Sequence, residues 1–141
     1  MYLLDTDTLI YSLKGELTVL DNFRKFMAEP KAISVITYGE LVFGAQGSQK
    51  TTENLAKVYR IKEIFPLIDV TPAVMDIFGA LKADMRRNGT PIDDFDLLIG
   101  ATALTIGYCV VTNNERHYSK IPGLKVVNWT KSEEGDKGKG A

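Results

Sequence analysis

Short apolar runs alternate along this chain with longer segments of helical periodicity, and this alternation limits the possible folds more than any other feature. Five short runs are candidate strands, at residues 2–4, 32–34, 67–70, 108–112 and 124–127. The candidate helices cover residues 6–13, 17–28, 37–45, 50–65, 71–87 and 94–106. Short hydrophobic strands separated by helices are typical of a parallel sheet that is covered on both faces. The sequence therefore predicts a three-layer α/β fold, in which helices flank a central, mostly parallel sheet of five strands.

The length and composition indicate one globular domain followed by a short tail. The chain has 141 residues, of which 45% are hydrophobic and 25% charged, and these are ordinary values for a globular protein. We expect the domain to span residues 1–129, because residues 130–141 contain no apolar side chain larger than alanine. Such a segment cannot bury enough apolar surface to pack, so the tail is predicted to be disordered.

The composition also excludes several classes of protein. The single cysteine, Cys109, cannot form a disulfide within the chain, and one histidine, His117, is too few for a zinc site of Cys and His ligands. The net charge of −1 excludes a generally basic coat for nucleic acid. No signal sequence opens the chain and no apolar run is long enough to span a membrane, so we expect a cytoplasmic protein without membrane contact.

Some acidic and amide residues follow the ends of candidate strands, and others lie at the start of the buried helix at residues 94–106. The set comprises Asp5, Asp7, Glu40, Asp93, Asp94, Asp96, Asn113 and Asn114. Ligand sites of parallel sheets lie beyond the carboxyl ends of the strands, so we expect these side chains to converge. Carboxylates at close range raise one another's pKa, and a bound divalent cation is the usual way to keep them ionised. Oxygen ligands alone favour Mg²⁺ or Mn²⁺, which can activate water for attack on a phosphate.

Each acid also has a purely structural interpretation. Asp5 or Asp7 could cap the first helix, and Glu40 could be a solvated helical residue. Asp93 and Asp96 have the spacing of a capping box. Asp96 nevertheless precedes an apolar run, and a carboxylate that enters a buried helix needs a partner.

Two further groups of polar residues have a structural and a functional interpretation. Lys82, Arg86 and Arg87 lie near the end of the helix at residues 71–87, where cations interact favourably with the helix dipole. Beside a metal site, the same three side chains could bind a phosphate backbone. His117 is interpreted as a surface-loop residue rather than a catalytic base.

Several motifs, in their order and spacing, closely resemble those of PIN-domain ribonucleases, and more narrowly those of VapC-type toxins of bacterial toxin–antitoxin pairs. The resemblance extends from about residue 2 to residue 129. The segments that carry it are Leu3-Leu-Asp-Thr-Asp7, Ile33-Ser-Val-Ile-Thr-Tyr-Gly-Glu-Leu41, Gly44-Ala45, Pro91-Ile-Asp-Asp-Phe-Asp-Leu-Leu-Ile-Gly-Ala101, Val111-Thr-Asn-Asn114 and Ile121-Pro-Gly-Leu124.

The resemblance implies an endoribonuclease that depends on Mg²⁺, with Mn²⁺ as a substitute. Asp5, Glu40 and Asp96 match the three acidic positions of the family's metal site. Asp94 matches an additional acid, and Asn114, or else Asn113, matches the place where many members have a fourth acid. Thr6 and Thr112 match hydroxyl positions beside the site.

The resemblance also implies partners for this chain. A cognate antitoxin would neutralise the enzyme by placing a segment near the acids, and the toxin itself would form a homodimer. Structured RNA, such as transfer RNA, would be the substrate. The chain departs from the family pattern at Asp7, usually asparagine or serine, and at Asp93, often glycine. Both departures leave the number of bound metal ions open.

Two alternative functions remain open at this point. Leu4-Asp5-Thr6-Asp7-Thr8 also fits the motif of haloacid-dehalogenase-type phosphatases, with Asp5 as nucleophile and Asp7 as general acid. The later acidic pair of that signature should close a strand, however, and here it opens a helix. The other alternative is a catalytically idle PIN-like module that only binds a partner.

Overall fold

The computed structural model describes residues 1–132. Its strands are β1 (Tyr2–Leu4), β2 (Lys31–Ser34), β3 (Leu67–Ile68), β4 (Cys109–Val111) and β5 (Val126–Val127). Its helices are α1 (Thr6–Leu13), α2 (Leu17–Lys25), α3 (Val35–Gln46), α4 (Thr51–Ile64), α5 (Pro72–Arg87), α6 (Asp94–Ile106) and α7 (Glu115–Tyr118). All predicted strands and helices are present, and within residues 1–132 the sequence patterns miss only the short helix α7.

The five strands form one parallel sheet in the order β3-β2-β1-β4-β5. The central strand is β1, in which Leu3 pairs with Ala32 of β2 on one side and with Val110 of β4 on the other. This arrangement confirms the predicted α/β fold with a five-stranded sheet. Because the strands are parallel, the residues that follow β1, β2 and β4 meet at one edge of the sheet.

The sheet is buried on both faces, as its hydrophobic strands require. Successive side chains of a strand point to opposite faces, and accordingly Leu3 and Leu4 belong to different hydrophobic clusters. Leu3 packs in one cluster with Met85 of α5. Leu4 packs in the other with Leu41 of α3 and Val58 of α4. Helices therefore cover both faces and hold the edge that carries the acids in place.

Helix α6 is buried along much of its length and lies very close to the segment that follows α7. A Cβ atom added at Gly100 would lie 2.5 Å from Cδ1 of Ile121, so glycine permits this close approach. The helix begins at the acidic residues, where Asp93 caps it by accepting a hydrogen bond from the N–H of Phe95 at 3.1 Å.

The predicted tail lies mostly outside the described residues. Of that segment the structure describes 130–132, where the N–H of Thr130 donates to Asn128 at 2.9 Å and Lys131 forms an ion pair with Glu115 at 2.8 Å. Disorder of the remainder stays a prediction. Within residues 1–132, no helix has the length and apolar character needed to cross a membrane.

Candidate metal and RNA site

Asp5 is the residue at which the central strand ends and α1 begins. Its N–H donates to the carbonyl of Val111 at 2.9 Å, so it extends the pairing of β1 with β4. Its Oδ1 accepts a hydrogen bond from the N–H of Thr6 at 2.9 Å, and the residue is only 5% exposed. The structural interpretation of Asp5 as a helix cap is therefore correct. The other carboxylate oxygen, Oδ2, still faces its neighbours at the sheet edge.

The buried hydroxyl of Thr112, directly after β4, connects Asp5 to the opposite side of the site. It donates to Oδ2 of Asp5 at 2.8 Å and accepts from the N–H of Asn114 at 2.9 Å. Asp7 lies beside this pair, with Oδ2 3.4 Å from the same hydroxyl and 3.1 Å from the N–H of Asn113. Thr112 thus fixes two acidic residues relative to the loop that follows β4.

Glu40 approaches the same edge from α3. That helix begins directly after β2, where Ser34 caps it by accepting from the N–H of Ile36 at 3.1 Å. Oε1 of Glu40 accepts a hydrogen bond from the hydroxyl of Thr6 at 2.9 Å. Since Thr6 follows Asp5 in the chain, this bond places Glu40 next to the Asp5 network.

Asp96 contacts the loop after β4 and the short helix α7. Its Oδ2 lies 3.1 Å from Nδ2 of Asn114 and 3.0 Å from Nδ1 of His117, and its Oδ1 lies 3.4 Å from the Tyr118 hydroxyl. These side chains are the partners that a carboxylate entering a buried helix needs. Asp96 therefore does not act as the second half of a capping box with Asp93.

The interpretation of His117 as a surface-loop residue is wrong, since it lies on α7 and reaches Asp96. Local sequence patterns could not reveal this contact, because 21 positions separate the two residues. One signal was available: His117 follows Asn114 by three positions, and this spacing places both on one side of a helical turn. The amide that reaches Asp96 is that of Asn114, whereas the Asn113 side chain contacts Tyr11 and Asn128.

Burial raises the pKa values of three of these acids, and repulsion between carboxylates adds to the shift of Asp5 and Glu40. Desolvation, followed by repulsion from Asp7, raises the pKa of Asp5 to about 7, although the Thr112 hydroxyl opposes the shift. Desolvation is also the main cause that raises the pKa of Asp7. The pKa of Glu40 is raised by desolvation first and then by repulsion from Asp96 and Asp93. The acids therefore lie close enough to destabilise one another's charged forms.

The chemistry of this donor set fits a hard divalent cation, although the side chains do not form a ready-made cage. Among residues 1–132, no group of three or more His, Cys, Asp or Glu side chains has the geometry of a metal site. Asp5 and Glu40 instead accept hydrogen bonds from hydroxyl groups. Within the same part of the chain, no lysine or arginine forms an ion pair with Asp5, Asp7, Glu40 or Asp96. A divalent cation would supply the counter-charge that the lysines and arginines of this part of the chain do not provide.

Asp94 and the predicted RNA-binding cations form a separate group at the end of α5. The Asp94 carboxylate is 57% exposed and lies 2.9 Å from Nζ of Lys82, so the structure does not bring it into the Thr112 network. Arg87 forms an ion pair with Asp84 on its own helix. Arg86 is exposed and lines, together with Lys82, a cavity of about 250 Å³ beside the first turn of α6. The ion pair between Lys82 and Asp94 connects these cations to the helix that carries Asp96.

Comparison with known proteins decides which family has this arrangement. The PIN domain profile matches residues 2–124. The chain belongs to the PIN-domain family. A relative from Salmonella typhimurium, the tRNA(fMet)-specific endonuclease VapC, is 31% identical over 91% of this chain and 97% of its own. PIN-domain proteins of the VapC group therefore match the chain over nearly its full length.

Solved structures of PIN-domain complexes are also similar to this chain. VapBC2 from Rickettsia felis, bound to a DNA fragment from its promoter, superposes with a TM-score of 0.85 at 28% identity, over 91% of this chain and 98% of that one. DNA-bound VapBC from Salmonella typhimurium superposes with a TM-score of 0.84 at 32% identity, over 91% and 97% of the two chains. The resemblance found in the sequence motifs is confirmed, and membership of this family replaces the phosphatase alternative.

Proposed function

We propose that this chain is a toxin-like endoribonuclease that uses Mg²⁺, or Mn²⁺ in its place, to cleave RNA phosphodiester bonds. The observation that carries the proposal is the convergence of Asp5, Glu40 and Asp96 at one sheet edge, where no lysine or arginine of the described chain neutralises them. Membership of the PIN-domain family and similarity to a named tRNA endonuclease support the same activity.

We assign the metal ligands to Asp5, Glu40 and Asp96, with Asn114 as an assisting amide. Thr112 orients Asp5 through the bond to Oδ2, and Asn114 orients Asp96 through its Nδ2. A divalent ion held there supplies Lewis acidity, which polarises a phosphate and activates water for attack. Asp94 matches a further acid of the family pattern, but its ion pair with Lys82 favours a role in holding the cations of α5.

The RNA backbone would lie along the end of α5, beside the metal ligands. Three cations, Lys82, Arg86 and Arg87, are exposed there. Because the net charge of the chain is −1, attraction to the RNA phosphates must come from local cations such as these. The ion pair from Lys82 to Asp94 sets the distance between these cations and the first turn of α6. Bound RNA would thereby extend from α5 towards Asp96.

The substrate we propose is initiator transfer RNA, because a relative at 31% identity is named as an endonuclease specific for it. We also propose that a cognate antitoxin binds near the acids, as the similar structures are complexes of toxin with antitoxin. We also propose that the chain forms a homodimer, as the resemblance to VapC-type toxins implies, and that it acts in the cytoplasm, the compartment of the proposed transfer RNA substrate.

Cleavage of defined RNAs tests the activity directly. The purified chain is incubated with initiator transfer RNA, an elongator transfer RNA and a ribosomal RNA fragment, in Mn²⁺, Mg²⁺ or excess chelator, and the new ends are sequenced. We expect one cut in initiator transfer RNA with either metal and none in chelator. Full cleavage in chelator would contradict the metal mechanism. Tight RNA binding without cleavage under any condition would favour the idle binding module.

A further inference from the structure

The imidazole of His117 is the part of the site that the proposed mechanism leaves without a role. It is the only histidine in the sequence. Its Nδ1 lies 3.0 Å from Oδ2 of Asp96 and 3.0 Å from Nδ2 of Asn114, and the side chain is 41% exposed. The ring therefore touches one proposed metal ligand and one assisting residue while it remains open to solvent.

The state of the ring depends on the two neighbours of Nδ1, which lies 3.0 Å from the Asp96 oxygen, an acceptor, and 3.0 Å from the Asn114 amide nitrogen, a donor. If Nδ1 were bare, it would face the Asp96 oxygen acceptor to acceptor at 3.0 Å, which is unfavourable in a partly buried site. With the proton on Nδ1, the ring donates to Oδ2. The Asn114 amide can donate to the same oxygen at 3.1 Å, because an oxygen of a carboxylate has two lone pairs. A bare Nδ1 could instead accept from the Asn114 amide, but a hydrogen bond to an ionised carboxylate is the stronger of the two, so these contacts favour the Nδ1–H form of the ring.

The backbone around His117 is held firmly, so the contact does not depend on a loose loop. The next residue, Tyr118, is fully buried in the hydrophobic cluster of Leu3. The N–H of Asn114 is bound to the buried Thr112 hydroxyl, and the N–H of His117 donates to the carbonyl of Asn114 at 3.2 Å. The imidazole is therefore presented to Asp96 from a supported turn.

We propose that His117 is a positioning residue of the metal site, which holds the Asp96 carboxylate through Oδ2 so that Oδ1 keeps a lone pair for the cation. This inference rests on the proposed function and assigns a role to a residue outside the acidic motif. Side chains that hydrogen-bond to a metal-ligating residue fix the orientation of that residue, and their loss typically weakens metal affinity by about 10- to 100-fold. His117 would act on the ion only through Asp96.

The tautomer of the ring tests the hydrogen bond without metal or RNA. Long-range ¹H–¹⁵N spectra of untagged, metal-free protein report one histidine, so no assignment is needed. At alkaline pH, where an imidazole is neutral, we expect the Nδ1–H tautomer in the unsubstituted chain and a shift towards Nε2–H in Asp96→Asn. Nε2–H as the main form of the unsubstituted chain would overturn the proposal.

Metal affinity tests the consequence of that bond. Mn²⁺ binding is measured by calorimetry for His117→Ala, for His117→Asn and for Ser119→Ala. His117→Ala should weaken binding about 10- to 100-fold. His117→Asn offers an amide N–H near the position of Nδ1 and should recover most of the affinity. Ser119→Ala removes a hydrogen bond within the α7 turn, to the Arg116 carbonyl, and should bind Mn²⁺ normally.

The two proposals fail in different ways. Unchanged Mn²⁺ affinity in a folded His117→Ala variant would overturn the positioning role and leave the proposed nuclease intact. An equal loss in His117→Ala and Ser119→Ala would also overturn it, since loosening of α7 would then explain the effect. No Mn²⁺ binding by the unsubstituted chain would overturn the proposed function, and the role of His117 at the ion with it.

Discussion

At the scale of single residues, one buried hydroxyl group favours the ionised form of Asp5 against the effect of burial. The Thr112 side chain is fully buried, and its single O–H donates to Asp5 at 2.8 Å rather than to Asp7 at 3.4 Å. This hydrogen bond stabilises the ionised form of Asp5 and opposes the effect of burial on its pKa. Without the hydroxyl, the Asp5 carboxylate would lose a hydrogen-bond donor and the Asn114 N–H would lose its acceptor.

Thr112→Val removes that hydroxyl at nearly constant shape, and Thr112→Ser keeps it. We expect Thr112→Val to lower the free energy of unfolding by about 1–3 kcal/mol, because buried polar groups lose their partner. It should also weaken Mn²⁺ binding, since Asp5 loses its orientation. Thr112→Ser should retain the Mn²⁺ affinity. Urea unfolding and calorimetry measure the two effects. Equal Mn²⁺ affinity in the valine and serine variants would contradict the role given to the hydroxyl.

The raised pKa of Asp5 predicts a pH dependence of stability in the metal-free chain. The folded pKa of about 7 lies above the ordinary value of 3.8, mainly because burial desolvates the carboxylate. Between these two values the folded chain holds a proton that the unfolded chain has lost, so this group makes the chain less stable as pH rises.

Melting temperatures in chelator, from about pH 4 to about pH 7, test this linkage. Asp5→Asn should remove the loss of stability that Asp5 causes as the pH rises. It should still preserve the cap of α1, because asparagine is an equally good capping residue. Asp21→Asn, which removes an exposed ion pair with Arg24 on α2, should keep the slope of the unsubstituted chain. The prediction fails if Asp5→Asn and the unsubstituted chain have the same slope.

At the scale of elements, the contact of α6 with the segment after α7 fixes where Asp96 meets His117. Gly100 leaves room for Ile121, which is 2% exposed, and a Cβ there would lie 2.5 Å from the Ile121 methyl group. Alanine favours a helix over glycine by about 1 kcal/mol. Overpacking of a close-packed core costs about 1–3 kcal/mol, so the two effects oppose each other at this position.

Gly100→Ala should therefore destabilise the chain by up to about 2 kcal/mol, since the cost of overpacking exceeds the helix preference. Ile121→Val removes the Cδ1 atom that would clash, so the double variant should be more stable than the sum of the single changes predicts. Gly79→Ala on α5 is the matched control, because its Cβ would meet no atom within 4 Å, and it should stabilise the chain. Additive effects at positions 100 and 121 in urea unfolding would contradict the contact.

At the scale of the whole molecule, the fold was predictable because its signal is repeated along the chain. Each buried strand needs a short apolar run, and each covering helix needs its own periodicity, so the alternation predicted five strands of the parallel sheet. The acids at the sheet edge followed from topology. The contact of His117 with Asp96 and the ion pair of Lys82 with Asp94 did not, since they depend on side-chain directions across separate elements.

The charge distribution of the whole chain predicts how salt affects RNA binding. With a net charge of −1, attraction to RNA must be local, so removal of each cation that contacts a phosphate should reduce the slope of log affinity against log salt by about one. Arg86→Ala with Arg87→Ala should therefore flatten the slope. The control is Arg24→Ala with Arg60→Ala, which changes the net charge by the same amount on other helices. Equal flattening by both pairs would contradict a local RNA site at the end of α5.

The central claim, that Asp96 holds a catalytic cation, is tested most directly by cleavage of initiator transfer RNA in Mn²⁺ by Asp96→Asn. The asparagine keeps the shape of the side chain and an oxygen that can accept from Asn114, and it removes one charge from a crowded acidic cluster, so the melting temperature of the metal-free chain should change little. Loss of one anionic ligand should abolish cleavage and remove the stabilisation that Mn²⁺ confers on the unsubstituted chain. Asp76→Asn, an exposed change on α5, should cut normally. An Asp96→Asn variant that cleaves this RNA at the unsubstituted rate would contradict the account.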